Sequence, residues 1–196
     1  METIFKPAVY RMLRAFYQEK DKKFHLRELA RKIKINESSI SRHLNALIKN
    51  KVLTVEKEGN LKKFCLSKKL VPVIFPILDK EKLESLPNMR KIAISDYLKK
   101  RKEKPLIAIV FGSTAKGTSK EDSDLDILLI GNIKKDIIAI NYVESQTGIK
   151  IQEFITDEDS FRLDLKLKED AVLQSAISTG FPIFNAEYYY NIKNES

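Results

Sequence analysis

At 196 residues, 43% hydrophobic and 32% charged, the chain is long enough for one domain or two small ones and has the apolar side chains to bury a core in each. No apolar run approaches the ~20 residues of a membrane span, and the start METIFKPAVYRML lacks the basic, apolar, small-residue layout of a secretion signal; the expectation is a cytoplasmic protein with no membrane partner. The net charge of +9 hides a division: residues 1–104 carry 27 Lys/Arg and 12 Asp/Glu, a net of +15, whereas residues 105–196 carry 9 and 15, a net of −6. A basic half joined to an acidic half predicts two domains with different partners. The single cysteine, Cys65, has no second thiol to pair with, so the fold does not require an oxidising compartment.

In chain order, residues 5–19 place Ala8, Met12, Leu13 and Phe16 on one helical face. Leu26, Leu29, Ala30 and Ile33 mark a short second helix, and Ile35-Asn36-Glu37 is a turn in which Asn36 or Ser38 caps the next helix. That third helix, about Glu37 to Asn50, buries Ile40, Leu44, Leu47 and Ile48. Its opposite stripe is Ser38, Arg42, Asn45 and Lys49, edged by Ser39, Ser41 and His43. Val52-Leu-Thr-Val55 and Lys63-Phe-Cys-Leu66, on either side of Glu58-Gly-Asn60, read as a β-hairpin.

Two short helices, a turn, a polar-faced third helix and a basic hairpin resemble the winged helix-turn-helix domain over roughly residues 5–70, with SSISRHLNALIKNKVL similar to that family's recognition helix and its exit into the wing. The resemblance implies a DNA-binding module, and such modules commonly act as dimers. The chemistry agrees: Arg forks onto guanine and Asn onto adenine in the major groove, while Lys57, Lys62 and Lys63 on the hairpin suit phosphates. The same helix also suits a solvated face in a domain that docks protein. Arg42 at the centre of the stripe and a net of +11 over residues 1–70 favour nucleic acid.

Residues 71–104 contain Pro72, Pro76 and Pro87, then a helical spacing through Ile92, Ile94 and Leu98 that ends in a run of Lys and Arg before Pro105. They read as a helical linker between a domain over residues 1–70 and another over 105–196.

Leu106-Ile-Ala-Ile-Val-Phe111 is a buried strand by composition. Gly112-Ser113 comes next, then ten residues, then Asp124 and Asp126 at the start of a second apolar run. Residues i and i+2 of a strand share a face, so the two carboxylates point the same way and repel unless a cation lies between them. Mg²⁺ or Mn²⁺, with further oxygen ligands filling the remaining positions, suits that demand. Gly112 allows close approach of backbone to phosphate, and Ser113 offers a hydroxyl and backbone N–H groups at the start of a helix. Lys116 and Lys120 are further candidates to hold such an anion.

This strand, Gly-Ser turn, spacing and Asp-x-Asp pair resemble the signature of the DNA polymerase beta nucleotidyltransferase superfamily over about residues 90–190, and GSTAKG looks like its minimal members. The resemblance implies a mixed sheet flanked by helices, hence an α+β chain overall, and transfer of a nucleoside monophosphate from an NTP, with ATP the leading candidate, to a protein or nucleic-acid acceptor. It also implies a third carboxylate on a neighbouring strand, for which the candidate is Glu153 in Ile151-Gln-Glu-Phe-Ile-Thr156. The alternative is a regulator or antitoxin-type protein, paired with a HEPN-type toxin, whose domain binds nucleotide or a partner with little turnover. Finally, residues 168–185 read as a helix ended by Gly180 and a short strand Phe181–Phe184, and Tyr188, Tyr189 and Tyr190 as core packing.

Overall fold

The computed structural model describes residues 6–20 and 22–195, so the expected start of the first helix at residue 5 lies outside the described residues. The chain divides into two compact units between Leu78 and Asp79.

The first unit contains helix α1 (Pro7–Gln18), strand β1 (Phe24–His25), helices α2 (Leu26–Ile33) and α3 (Glu37–Lys49), strands β2 (Leu53–Glu58) and β3 (Leu61–Leu66), and a 3-10 turn at Lys68–Leu70. Asn36 caps α3, its side chain accepting from the Ser39 N–H at 2.8 Å. The strands form an antiparallel sheet in the order β1-β3-β2, with Glu58 opposite Leu61 across a two-residue loop. Gly59 takes φ +58° in that loop, where a side chain is disfavoured. Met12, Leu13 and Phe16 of α1, Leu29 of α2, and Ile40 and Leu44 of α3 are buried, and the Phe16 ring meets Phe24 edge-on at 5.3 Å. Helix α4 (Val71–Glu84) comes next. Pro72 falls in its first turn, where a missing N–H costs nothing, and Pro76 sits inside it.

The second unit holds α5 (Asn88–Lys100), β4 (Ile107–Val110), α6 (Gly112–Lys116), β5 (Leu125–Ile130), α7 (Ile137–Thr147), β6 (Ile151–Thr156), α8 (Glu158–Leu167), α9 (Ala171–Thr179), β7 (Phe181–Phe184) and α10 (Ala186–Glu195). Its mixed sheet has the order β6-β5-β4-β7; β5 and β6 are parallel, joined through α7, and the other pairs are antiparallel. Alternation gives the sheet two faces. On one, Ala108, Val110, Leu125, Ile127, Leu129 and Ile151 pack with Ala93, Ile94 and Tyr97 of α5 and with Ala139, Ile140 and Val143 of α7. On the other, Ile107, Ile109, Leu128 and Ile130 are buried, and α10 runs against β4 and β7. Tyr189 and Tyr190 are buried, and Tyr188 donates a hydrogen bond to Glu158 at 2.7 Å.

Two expectations change here. The segment read as a linker is divided by the boundary at 78/79, and its second helix is built into the core of the second unit. The inward stripe of α5 is Arg90, Ala93, Ile94, Tyr97 and Arg101 at its C-cap, all buried, whereas Ile92 is 46% exposed. Glu153 also stands where α5 can reach it. In the parallel register Ile127 lies beside Glu153 and Asp126 beside Gln152, so Glu153 shares a face with Ile127, opposite to Asp126.

There the Glu153 carboxylate is fully buried in an ion pair with the Arg101 guanidinium, itself fully buried. Tyr97 donates to Glu153 Oε1 at 2.7 Å, and Arg101 Nη1 donates to the Tyr97 hydroxyl at 2.9 Å. Arg101 Nη2 also donates to the Lys134 carbonyl at 2.8 Å, tying the end of α5 to the loop before α7. Burial, then the hydrogen bond to Glu153, push the Tyr97 phenol pKa far upward. Breaking a buried pair by removing one partner leaves the other charge stranded, so Glu153→Ala should cost about 3–5 kcal/mol in urea unfolding. A loss of less than about 1 kcal/mol, the value for an exposed pair, would contradict this placement.

Candidate functional site

Strand β4 ends at Val110; Phe111 remains extended, and Gly112 turns the chain with φ +66° into the single turn of α6. Two constraints meet at Gly112. Its φ is disfavoured for any side chain, and a Cβ built there would lie 2.0 Å from Asp126 Oδ2 and 3.1 Å from Asp126 Cγ. The neighbouring Phe111 N–H donates to the Asp126 carbonyl at 3.1 Å, so β4 carries the glycine directly against β5. Gly117, in the left-handed region at φ +71°, ends α6. At five residues α6 is too short for a helix dipole of consequence, so any contribution of Ser113 comes from its own hydroxyl and N–H.

Asp124 is exposed just before β5, and Asp126 is half-buried as the second residue of the strand. Burial and then the Asp124 charge raise the Asp126 carboxyl pKa above the ordinary aspartate value, while Arg90 pulls it down. The two carboxylates therefore act on one another, and the pair carries an electrostatic tension that a cation relieves. Among the described residues no three His, Cys, Asp or Glu side chains gather in a metal-binding group. The chain itself thus offers two carboxylates, a donor set that fits a hard divalent cation whose other ligands are phosphate and water oxygens.

The structure brings Gly112, Ser113, Asp124 and Asp126 together around the β4–α6 turn and the start of β5. Glu153 is not among them: it lies across the sheet, neutralised by Arg101, and its neighbour Gln152 is the residue beside Asp126. Lys116 is exposed at the end of α6, and Lys120 is exposed in the loop after it. Arg90 is a further residue of the site, one that the sequence pattern does not single out. Its guanidinium donates to Thr114 Oγ1 at 2.7 Å and to the carbonyls of Lys120 and Ser123 at 2.9 and 2.8 Å. Burial lowers its pKa, and Asp124 and then Asp126 act in the opposite sense. The one signal for it is spacing: it stands three residues before Ala93 and seven before Tyr97 on the buried stripe of α5.

In the first unit, Ser38, Arg42, Asn45 and Lys49 lie along the outer stripe of α3, with Ser39, Ser41 and His43 at its edges. The Ser38 hydroxyl donates to Asn36 Oδ1 at 3.0 Å, so it takes part in the cap. Lys62 is exposed on β3 opposite Lys57, whereas Lys63 forms an ion pair with Glu58.

No curated protein matches the chain. Among solved structures, one described as "Crystal structure of the toxin-antitoxin with AMP-PNP" aligns at 19% identity over 56% of this chain and 85% of that one, with a TM-score of 0.36, too loose a superposition to bear on function. The family described as "Nucleotidyltransferase domain" matches residues 91–188, half of the chain, and that span contains the strand, the glycine turn, the aspartate pair and the mixed sheet. The chain belongs to the nucleotidyltransferase domain family.

Proposed function

We propose that the second unit binds a nucleoside triphosphate, ATP foremost, with a divalent cation and transfers the nucleoside monophosphate to a protein or nucleic-acid acceptor. The observation that carries this reading is the half-buried Asp126 carboxylate, set against the bare Cα of Gly112 and repelled by Asp124. Asp124 and Asp126 would hold Mg²⁺ or Mn²⁺. A divalent ion in such a site neutralises phosphate charge and makes an acceptor hydroxyl more acidic. Gly112 leaves room for the Asp126 carboxylate beside the turn, and Ser113 offers its hydroxyl and N–H to an incoming phosphate group. Lys116 and Lys120, both exposed, add positive charge to that approach.

Glu153 favours a second reading. Its burial with Arg101 leaves the aspartate pair without the third carboxylate expected to assist the nucleophile. A pocket of that kind holds nucleotide with little turnover, as in a regulator or an antitoxin-type protein paired with a HEPN-type toxin. Incubation with each labelled nucleoside triphosphate and Mg²⁺, with and without cell lysate, separates the two. Transfer expects label on an acceptor, reduced at least ~100-fold in Asp124→Asn, on the order of the 2.7 kcal/mol or more at stake when a charge-stabilising group is lost. Retained nucleotide without transferred label supports the second reading, and no bound nucleotide overturns both.

For the first unit we propose a winged helix-turn-helix that binds DNA, with Ser38, Ser39, Ser41, Arg42, Asn45 and Lys49 of α3 toward base edges and Lys62 toward phosphate. The polar outer stripe of α3 and the basic hairpin of the same unit support it. In gel shifts on selected operator fragments, Arg42→Ala should cost about 1–3 kcal/mol and relax specificity, and Lys62→Ala should weaken binding evenly across sequences. Binding that ignores salt, or none, would remove DNA from the account.

A further inference from the structure

Arg90 opens the buried stripe of α5 and is 4% exposed. Its three hydrogen bonds all go to the segment leading from α6 into the aspartate pair: Nη1 to Thr114 Oγ1, and Nη2 to the carbonyls of Lys120 and Ser123. The second and third bracket a turn that is closed as well by Ser123 N–H to the Lys120 carbonyl at 3.2 Å and by Lys120 N–H to Ser123 Oγ at 2.8 Å. Asp124 comes directly after. The Ser123 carbonyl and the Asp124 N–H belong to one rigid peptide plane, so holding that carbonyl sets the direction in which Asp124 leaves the turn. On the far side, the Leu125 N–H donates to the Lys150 carbonyl at 2.8 Å, and Asp124 is the residue suspended between the two anchors.

Burying a guanidinium is costly unless its donors are met and its charge is answered. Here both carbonyls and the hydroxyl meet the donors, and the charges answering it are Asp124 and Asp126. An ammonium could not reproduce this arrangement, because the planar fork spans two carbonyls from one nitrogen and a hydroxyl from the other. We propose that Arg90 is a positioning residue for the aspartate pair: through the Ser123 carbonyl it fixes where Asp124 enters the cation site, without itself touching cation or nucleotide. This inference rests on the nucleotide reading above.

The two effects of Arg90 on a bound cation have opposite signs, which makes the test sharp. Removing a nearby positive charge strengthens cation binding, whereas releasing the turn weakens it. Arg90→Gln and Arg90→Lys are compared with wild type by Mn²⁺ calorimetry, alone and with ATP, at a temperature where all three are folded by circular dichroism. Amide hydrogen exchange is recorded on the metal-free proteins. The expected result is at least tenfold faster exchange at Thr118, Lys120 and Ser123 in Arg90→Gln, wild-type rates at Leu128 and Val143, and Mn²⁺ affinity at least tenfold weaker. Arg90→Lys, which keeps the charge and loses the fork, should also bind Mn²⁺ more weakly than wild type. Mn²⁺ affinity that is unchanged or tighter in Arg90→Gln overturns the proposal, as does exchange accelerated equally at all amides, the mark of a merely structural residue. A wild-type protein that binds neither Mn²⁺ nor its ATP complex overturns the nucleotide reading and the cation half of this proposal with it. The exchange rates then decide by themselves whether Arg90 holds the turn.

Discussion

A β-strand offers each residue to one face of its sheet only, and that parity decides which acidic side chains of the second unit can meet. Asp124, just before β5, and Asp126, its second residue, share one face, with Asp126 against the turn at Gly112. Glu153 is beside Ile127 in register and therefore falls on the other. The consequence is chemical as much as geometric. Burial and then the Asp124 charge raise the Asp126 carboxyl pKa, whereas the Glu153 charge is met by the buried Arg101 guanidinium. On the proposed reading the aspartate pair takes up a cation, while Glu153 ties β6 to the end of α5.

Helix α5 serves both faces of that arrangement. Arg101 at its C-cap neutralises Glu153 with the help of Tyr97, and Arg90 near its start holds the turn before Asp124. Between them Ala93, Ile94 and Tyr97 fill the core against β5 and α7. A helix that carries cations at both ends of its apolar stripe is fixed in rotation as well as in position, because a turn about its axis would strand both guanidinium groups away from their partners.

Much of this is legible in the sequence. The period of 3.6 locates α3, Gly59-Asn60 locates the hairpin loop, and the step from an apolar strand to Gly112-Ser113 and on to Asp124 and Asp126 locates the site. Gly180 marks the end of α9. The features that escape a reading of the sequence depend on partners distant along the chain. Arg101 and Glu153 are 52 residues apart, and Arg90 and Ser123 are 33 apart, so nothing local says that either arginine is inside. With arginines counted as polar, the buried stripe of α5 looks shorter and rotated, and Ile92 reads as a core residue. Two prolines obscure α4, although Pro72 lies where a helix tolerates it. Strand β1 is two residues long and is defined only by its pairing with β3.

If the aspartate pair is half of a cation and triphosphate site, thermal unfolding of wild type and Asp126→Asn, each with and without Mg²⁺ and ATP, tests it most directly. Because the folded-state pKa of Asp126 is raised, the folded protein holds its proton more tightly than the unfolded chain, and stability falls as pH rises through that window. Asp126→Asn should therefore melt higher than wild type at neutral pH without ligand, and the gain should fade below the ordinary aspartate range, where the carboxyl is protonated in both states. Mg²⁺ with ATP should raise the wild-type midpoint and leave the variant unmoved. A variant less stable than wild type at neutral pH, or one stabilised by Mg²⁺ and ATP as strongly as wild type, would contradict the account.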